Sequence, residues 1–296
     1  MRIVISGASG LIGQELLRHL RAGGHEVVTL VRRPVRSAAE VRWDPDAGSL
    51  DPTALGHVDA AVNLSGAGVG DQRWTEEYRR LILSSRVRTT STLVDALRRL
   101  DSPPQVLLNA SAIGVYGDAG ETVLTEDSPA GEGFLADVVQ QWEQAAAPAA
   151  EAGTRVATLR TGLLANPQGG AFGRLLTLFR AGVGGPLGSG KQWWSLISMP
   201  DEVAAVEFLL THPVHGPVNL TCPEPARNVD VSKTLGRALH RPALLKVPSV
   251  ALRIALGDFS AEILASQRVV PAKLLAAGFT FRHPDAGAVL RWLADA

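Results

Sequence analysis

The sequence predicts an α/β fold, a doubly wound parallel sheet followed by a smaller, mainly helical C-terminal lobe. Three observations carry that expectation. Short β-branched runs alternate with apolar residues at helical spacing, a glycine-rich turn joins the first strand to the first helix, and the alternation stops near Asn166. Strands separated by helices come together in parallel, with helices covering both faces of the sheet.

Residues 2–6 form a β-branched run, residues 11–21 place apolar side chains at helical spacing, and residues 25–33 again read as a buried strand. That is a βαβ unit of the expected size, about 30 residues. The alternation continues with a strand in VDAAVNLSG (58–66), a long helix over 75–100, a strand in PQVLLNASA (104–112), a helix over 133–150 and a strand in RVATLRTGLL (155–164). Beyond it, residues 167–192 mix a helical stretch with a glycine-rich loop, residues 199–210 read as a helix and GPVNLTCPE (216–224) as a strand. Helices over 231–239 and 250–256 and a tail without alternation complete the chain, so residues 1–213 are assigned to the sheet domain and 214–296 to a substrate or lid lobe.

The 29 basic residues balance 29 acidic ones, and 46% of the chain is hydrophobic. A neutral globular chain offers no field to attract nucleic acid or an anionic membrane. Cys222 stands alone, which excludes an intramolecular disulfide and a cysteine metal cluster and suits a reducing compartment. His212 and His215 lie in a proline-flanked loop without metal-ligand geometry, so no metal is expected. With a strand opening at residue 2 and no apolar run of ~18 residues, the expectation is a cytoplasmic protein, monomer or homodimer, acting on a small molecule.

GASGLIG, residues 7–13, sits at the first strand–helix turn. Gly7 suits the tight turn, Gly10 lets backbone approach a pyrophosphate, and Gly13 lets the helix pack close to the sheet. The helix N-terminus adds unpaired N–H groups and partial positive charge. Residues Gly7, Ser9, Gly10, Leu11, Ile12 and Gly13 therefore form a dinucleotide cradle, making this an NAD(P)-binding Rossmann domain. The second strand ends in Arg32 and Arg33, where an NAD site has an acid for the ribose. Two guanidiniums suit a 2′-phosphate, so the expected cofactor is NADP(H). A rival loop, GPLGSGKQ (185–192), has P-loop spacing but ends in Gln192 where Ser or Thr should bind Mg²⁺, and it follows no clear strand.

GASGLIG, VNLSG (62–66) and NASAIGVYG (109–117) resemble, in order and spacing, the extended short-chain dehydrogenase/reductase superfamily. QRWTEEYRRLILSSRVRTT (72–90), residues 169–195 and GFTFRHPDAGAVL (278–290) look more like an atypical branch, the YfcH-like "epimerase family" proteins with a C-terminal domain of uncharacterised role. The resemblance implies cofactor contacts from Asn63, Leu64, Ser65, Gly66 and Ala110, and makes Ser111 the active-site serine. It also implies a Tyr-x-x-x-Lys acid/base pair on the next helix, and there the sequence departs. The only tyrosines, Tyr78 and Tyr116, are followed four residues later by Ile82 and Gly120, and no lysine precedes Lys191. The atypical branch is similar in lacking the pair. Tyr116 is the phenol left near the nicotinamide end, as proton donor or as structural aromatic. The branch's WIHIDD is LISMPD here (196–201), which puts Ser198 in place of its histidine and leaves Ser198 or Asp201 to cap a helix.

Arg86 on the long helix is a candidate for cofactor or substrate, or a surface ion pair. Arg160 leaves its strand toward the crevice, where it suits an anionic substrate group. Trp193 and Trp194 either stack on substrate or anchor the small lobe. Two readings follow. One is an NADP(H)-dependent oxidoreductase or epimerase-like enzyme acting on a small carbonyl or sugar-like substrate, with Ser111 orienting the oxygen and Tyr116 or water moving the proton. The other is an inactive NADP(H) sensor or regulator.

Overall fold

The computed structural model describes residues 1–296. Its sheet is built from β1 (Arg2–Ser6), β2 (Glu26–Val31), β3 (Glu40–Arg42), β4 (Ala60–Asn63), β5 (Val106–Ala112), β6 (Arg155–Thr161) and β7 (Gly216–Leu220). The strands lie in the order β7-β6-β5-β4-β1-β2-β3, every pairing parallel. The chain runs outward one way from β1 to β3, then returns to place β4 on β1's other side. That reversal opens a crevice beyond the carboxyl ends of β1 and β4, the position where such sheets hold ligands.

Burial on both faces explains why the strands read as unbroken apolar runs. Ile3, Ile5, Val62 and Leu108 face α1 (Leu11–Ala22) and α5 (Met199–Thr211), whereas Val4, Ala61 and Leu107 face α2 (Glu76–Arg98). On α1, Leu16 and Leu20 are completely buried, each contributing roughly 1.5–3 kcal/mol. Side-chain caps open α2 and α5. Thr75 accepts the Tyr78 N–H at 3.1 Å to open α2, and Ser198 accepts the Asp201 N–H at 3.2 Å to open α5.

The structure departs from the sequence reading in three places. β7 joins the large sheet although it lies beyond residue 213; register with β6, invisible in sequence, claims the strand. The edge strand β3, three residues long, is too short to carry a readable pattern. The run over 155–164 breaks at Gly162, whose added Cβ would stand 2.6 Å from the Ser195 carbonyl oxygen; Leu163–Ala165 then pairs separately with Leu196–Ser198.

α3 (Phe134–Ala146) packs on α2, while the lobe's core is built from α4 (Gly170–Arg180), α6 (Asn228–Ala238) and α8 (Ala286–Asp295), with α7 (Ser249–Leu256) contributing no residue to it. That core joins Phe172 and Phe179 of α4 to Leu235 of α6 and Leu290 and Leu293 of α8. Leu274 and Phe279 pack instead into the core of the large sheet, so the two parts are interleaved. No helix is long and apolar enough to cross a membrane. The rival glycine loop packs on the chain after α6: a Cβ on Gly185 would lie 2.2 Å from the Leu245 carbonyl oxygen.

Candidate cofactor and active site

Gly7 turns the chain at φ 71°, and a Cβ there would lie 2.6 Å from the Leu64 carbonyl carbon. Gly13, buried in the first turn of α1, would drive a Cβ to 2.3 Å from the Gly7 oxygen. Gly10 is different. It is exposed at φ −75°, its nearest obstacle is the Gly7 oxygen at 3.3 Å, and it opens α1 with no side-chain cap and no acid in the first turn. The protein's own packing therefore requires Gly7 and Gly13, while Gly10 keeps open the approach to an uncapped helix N-terminus, a ready anion site. Ser9 and Leu11 are exposed at its lip, and Ile12 packs against the sheet core.

After β2, Arg33 forks onto Glu40 with bonds of 2.9 and 2.6 Å, and Glu40 also accepts the Arg36 N–H at 2.7 Å. The Arg33 hydrogen bond, helped by the Arg36 N–H, lowers the Glu40 carboxyl from 4.5 to about 2. Glu40 thus ties the turn together and is itself neutralised, leaving Arg32 exposed and without an acid. Sequence reasoning treated the two arginines alike and did not single out Glu40 or Arg36.

A buried polar seam forms the crevice floor. Asn63 donates to Thr90 Oγ1 at 2.8 Å and to Asn109 Oδ1 at 2.7 Å, and accepts from the Ser6 hydroxyl; Trp142 Nε1 donates to Thr90 at 3.0 Å. These bonds fasten the ends of β1, β4 and β5 to α2 and α3. The turn from Leu64 to Gly68 is pinned onto α2, with the Ala67 N–H on Ser85 Oγ at 3.0 Å and the Tyr78 hydroxyl on the Gly68 oxygen at 2.5 Å. Ser65 and the exposed Gly66 lie in that turn.

Along β5, Asn109 and Ser111 face α2 and α3, while Ala110 and Ala112 face the other way and stay half-exposed. The Ser111 hydroxyl donates to Glu143 Oε1 at 2.6 Å. Arg160 grips the same carboxylate with Nε and Nη2, both at 2.9 Å, and its Nη1 donates to the Tyr116 oxygen at 2.9 Å. Tyr116, 2% exposed, offers its own proton to Asn219 Oδ1 at 2.8 Å or the Thr125 carbonyl at 3.0 Å. Burial raises the Tyr116 pKa against the opposing pull of Arg160. For Arg160, burial works against the charge, and the Glu143 bonds more than restore it, so the net direction is up. Ser111, Tyr116 and Arg160, which the sequence suggested separately, thus belong to one network closed by Glu143. The signal for Glu143 was present: it interrupts an apolar stripe of Ala136, Val139 and Ala146 on α3.

The remaining candidates divide. Arg86 lies at the crevice, its guanidinium 5.0 Å from the Trp142 ring centroid and packed against Gly66. Trp193 has the Arg227 and Arg268 guanidiniums 4.6 and 4.5 Å from its ring centroid and donates to Glu121 at 3.0 Å. Trp194 is buried edge-to-face on Phe172. The Arg160 charge is already answered by Glu143. Ser198 is fully buried as the α5 cap, with His283 Nδ1 2.8 Å from its hydroxyl; Asp201 accepts the Arg282 and His283 N–H groups at 2.8 and 3.0 Å. The position where the branch has its histidine is here a clamp on the C-terminal tail.

Comparison with known proteins agrees with this architecture. The model of the "NAD dependent epimerase/dehydratase family" matches residues 3–221, and "Domain of unknown function (DUF1731)" matches residues 247–293. The chain is 43% identical to epimerase family protein Mb2239 of Mycobacterium bovis over 97% of its own length and 96% of that protein's. It is 34% identical to human epimerase family protein SDR39U1, covering 98% of this chain and 99% of that one. The crystal structure of human SDR39U1 (isoform 2) with NADPH superposes with a TM-score of 0.93 at 33% identity, covering 100% and 99% of the two chains. With a glycine-cradled first turn, seven parallel strands and both family matches in place, the chain belongs to the NAD dependent epimerase/dehydratase family, in the epimerase family group that carries DUF1731 at its C-terminus.

Proposed function

We propose that this chain binds NADP(H) and acts as an oxidoreductase or epimerase-like enzyme on a small carbonyl or sugar-like substrate. The observation that carries the reading is the uncapped start of α1 beside an arginine turn whose one acid, Glu40, is already neutralised. A pyrophosphate fits the first, and a 2′-phosphate fits Arg32 with Arg33 held beside it. Human SDR39U1, with its NADPH, supports the same choice. The cofactor supplies or accepts the hydride. The protein's residues do the rest: Leu64, Ser65 and Gly66 border the cofactor above the buried Asn63, Ala110 leaves room beside β5, and Ser111 orients the substrate oxygen by turning its one hydroxyl proton away from Glu143.

The expected calorimetric result is that NADPH binds far more tightly than NADH. Arg32→Ala weakens NADPH by roughly 10–100-fold, the size of a lost charge-assisted contact, and leaves NADH unchanged. Gly10→Val folds normally, because only the Gly7 oxygen is near, yet loses both cofactors. Equal affinities for NADPH and NADH in the wild type overturn the reading.

Tyr116 has its hydroxyl committed inside the network, so proton transfer falls to water or to the substrate itself. In an assay of NADPH oxidation across a carbonyl panel, Ser111→Ala therefore lowers turnover more than Tyr116→Phe; the reverse order would make the phenol the donor. The missing Tyr-x-x-x-Lys pair favours one further reading, an NADP(H) sensor, since general acid–base help is worth about 10²–10⁴ in rate. Silence across the panel with tight NADPH binding selects the sensor.

A further inference from the structure

The chain is neutral as a whole, but its charge is not evenly spread. Between Asp230 and Asp258 there is no acid, while Lys233, Arg237, Arg241, Lys246 and Arg253 all stand exposed, with His240 among them. None of these lysines and arginines enters an ion pair, although Arg18, Arg88 and Arg98 elsewhere on the surface do. Asp258 is itself bonded to Arg79 at 2.7 Å, and the next acid along the chain, Glu262, is half-buried. Residues 152–200 carry no acid either, and α4 and the loop after it pack beside the basic stretch. Arg241 Nε donates to the Arg180 carbonyl at 3.1 Å, and the Leu245 N–H to the Gly184 carbonyl at 3.3 Å. One face of the C-terminal lobe is therefore basic, a segregation that neutrality of the whole chain conceals.

The same face carries the most exposed large hydrophobic side chains of the protein: Leu244 at 83%, Ile254 at 71%, Val250 at 62% and Leu245 at 55%. Val250 and Ile254 stand one turn apart on α7, opposite the buried Leu252, so they share its outer face. Val183 joins them across the Leu245 bond to Gly184. An exposed apolar cluster among cations marks a docking surface. A second copy of the chain does not fit it, because a two-fold contact presses a patch against itself and would set these cations together with no acid between them. A nucleic acid would answer the charges but leave the aliphatic side chains in water. Residues 231–257 hold no Trp, Tyr or Phe, the side chains that with arginine anchor most protein interfaces. A bilayer of anionic lipid matches both features: aliphatic tips enter the headgroup boundary, and Lys and Arg stems reach back to the phosphates.

We propose that this face of the C-terminal lobe docks the protein on an anionic membrane surface, with Leu244, Val250 and Ile254 entering the headgroup layer and Arg241, Lys246 and Arg253 taking lipid phosphates. The attachment is peripheral, since no helix is long and apolar enough to cross a membrane. The inference is independent of the NADP(H) reading above.

The test is co-sedimentation of the full-length protein with vesicles of phosphatidylcholine, alone or mixed with an equal part of phosphatidylglycerol. The mixed vesicles bind about ten-fold or more tightly than the neutral ones, and added salt weakens that binding as the screening length shortens. Leu244→Glu with Ile254→Glu abolishes it, as does Lys246→Glu with Arg253→Glu. Arg18→Glu with Arg98→Glu, the same change of charge on α1 and α2, leaves it nearly unchanged. A polarity-sensitive dye on Ile254→Cys shifts to the blue on mixed vesicles alone; the native Cys222 is fully buried and takes no label. The lipid preference of the wild type and the dye shift stand without any charge-reversed variant, so misfolding of those variants does not protect the inference. It is overturned by equal binding to both vesicles or to neither, or by binding that survives Leu244→Glu with Ile254→Glu, as any polyanion would give. A dimer in light scattering that the same apolar pair dissociates would assign the face to a second copy instead.

Discussion

Replacing Glu143 by alanine lowers stability by about 3–5 kcal/mol, because it leaves the Arg160 guanidinium buried without its counter-charge. The pair is nearly enclosed, with Arg160 and Glu143 side chains 10% and 17% exposed, and the same carboxylate also receives the Ser111 hydroxyl. Tyr116 then loses its ordered neighbour, since Arg160 Nη1 donates to its oxygen. Chemical denaturation measures the loss directly. Glu143→Gln, which keeps the shape and one acceptor, falls in between. The double variant Glu143→Ala with Arg160→Met recovers much of the loss, since a missing pair is tolerated better than half of one. A Glu143→Ala protein as stable as the wild type would show that the guanidinium finds water or another acid, and would remove the network as a structural element.

Glu202→Gln acts in the opposite direction and only above mildly acidic pH. Glu202 is 1% exposed, accepts the Thr161 hydroxyl at 2.8 Å, and has its second oxygen buried without a partner. Burial raises its pKa from 4.5 to about 8, with the Thr161 bond opposing. The folded state therefore keeps a proton that the unfolded chain releases near 4.5, so the contribution to stability is fullest below that pH. It declines as pH rises through the window to about 8 and is lost beyond it. A shift of that size corresponds to at most roughly 4–5 kcal/mol. Relative to wild type, Glu202→Gln gains about 2–4 kcal/mol between pH 5 and pH 8.5, read as the change in the difference of their unfolding free energies. The pH slope cancels the fixed effect of the new amide. Parallel stability profiles for the two proteins would mean that Glu202 ionises freely in the fold.

What the sequence by itself determined was local and periodic. Alternating strand and helix patterns predict the parallel sheet, because a strand buried on both faces must be apolar throughout. The glycine spacing predicts the turn at β1, because Gly7 at φ 71° and Gly13, where an added Cβ would lie 2.3 Å from the Gly7 oxygen, leave no room for any side chain. The absence of Tyr-x-x-x-Lys needed only counting. What tertiary structure decided was partnership. Arg33 pairs with Glu40 seven residues on, Arg160 with Glu143 seventeen residues back, and Tyr116 with Asn219 across 103 residues. The same residue type, arginine, is neutralised at 33 and 160 and left open at 32 and 86, and no property of the residue or its neighbours in sequence distinguishes these cases. Register assigned β7 to the large sheet in the same way, through hydrogen bonds to β6. A side chain's charge is written in the sequence, but whether that charge is spent inside the protein or left for a ligand depends on which distant group the fold brings within three ångströms of it.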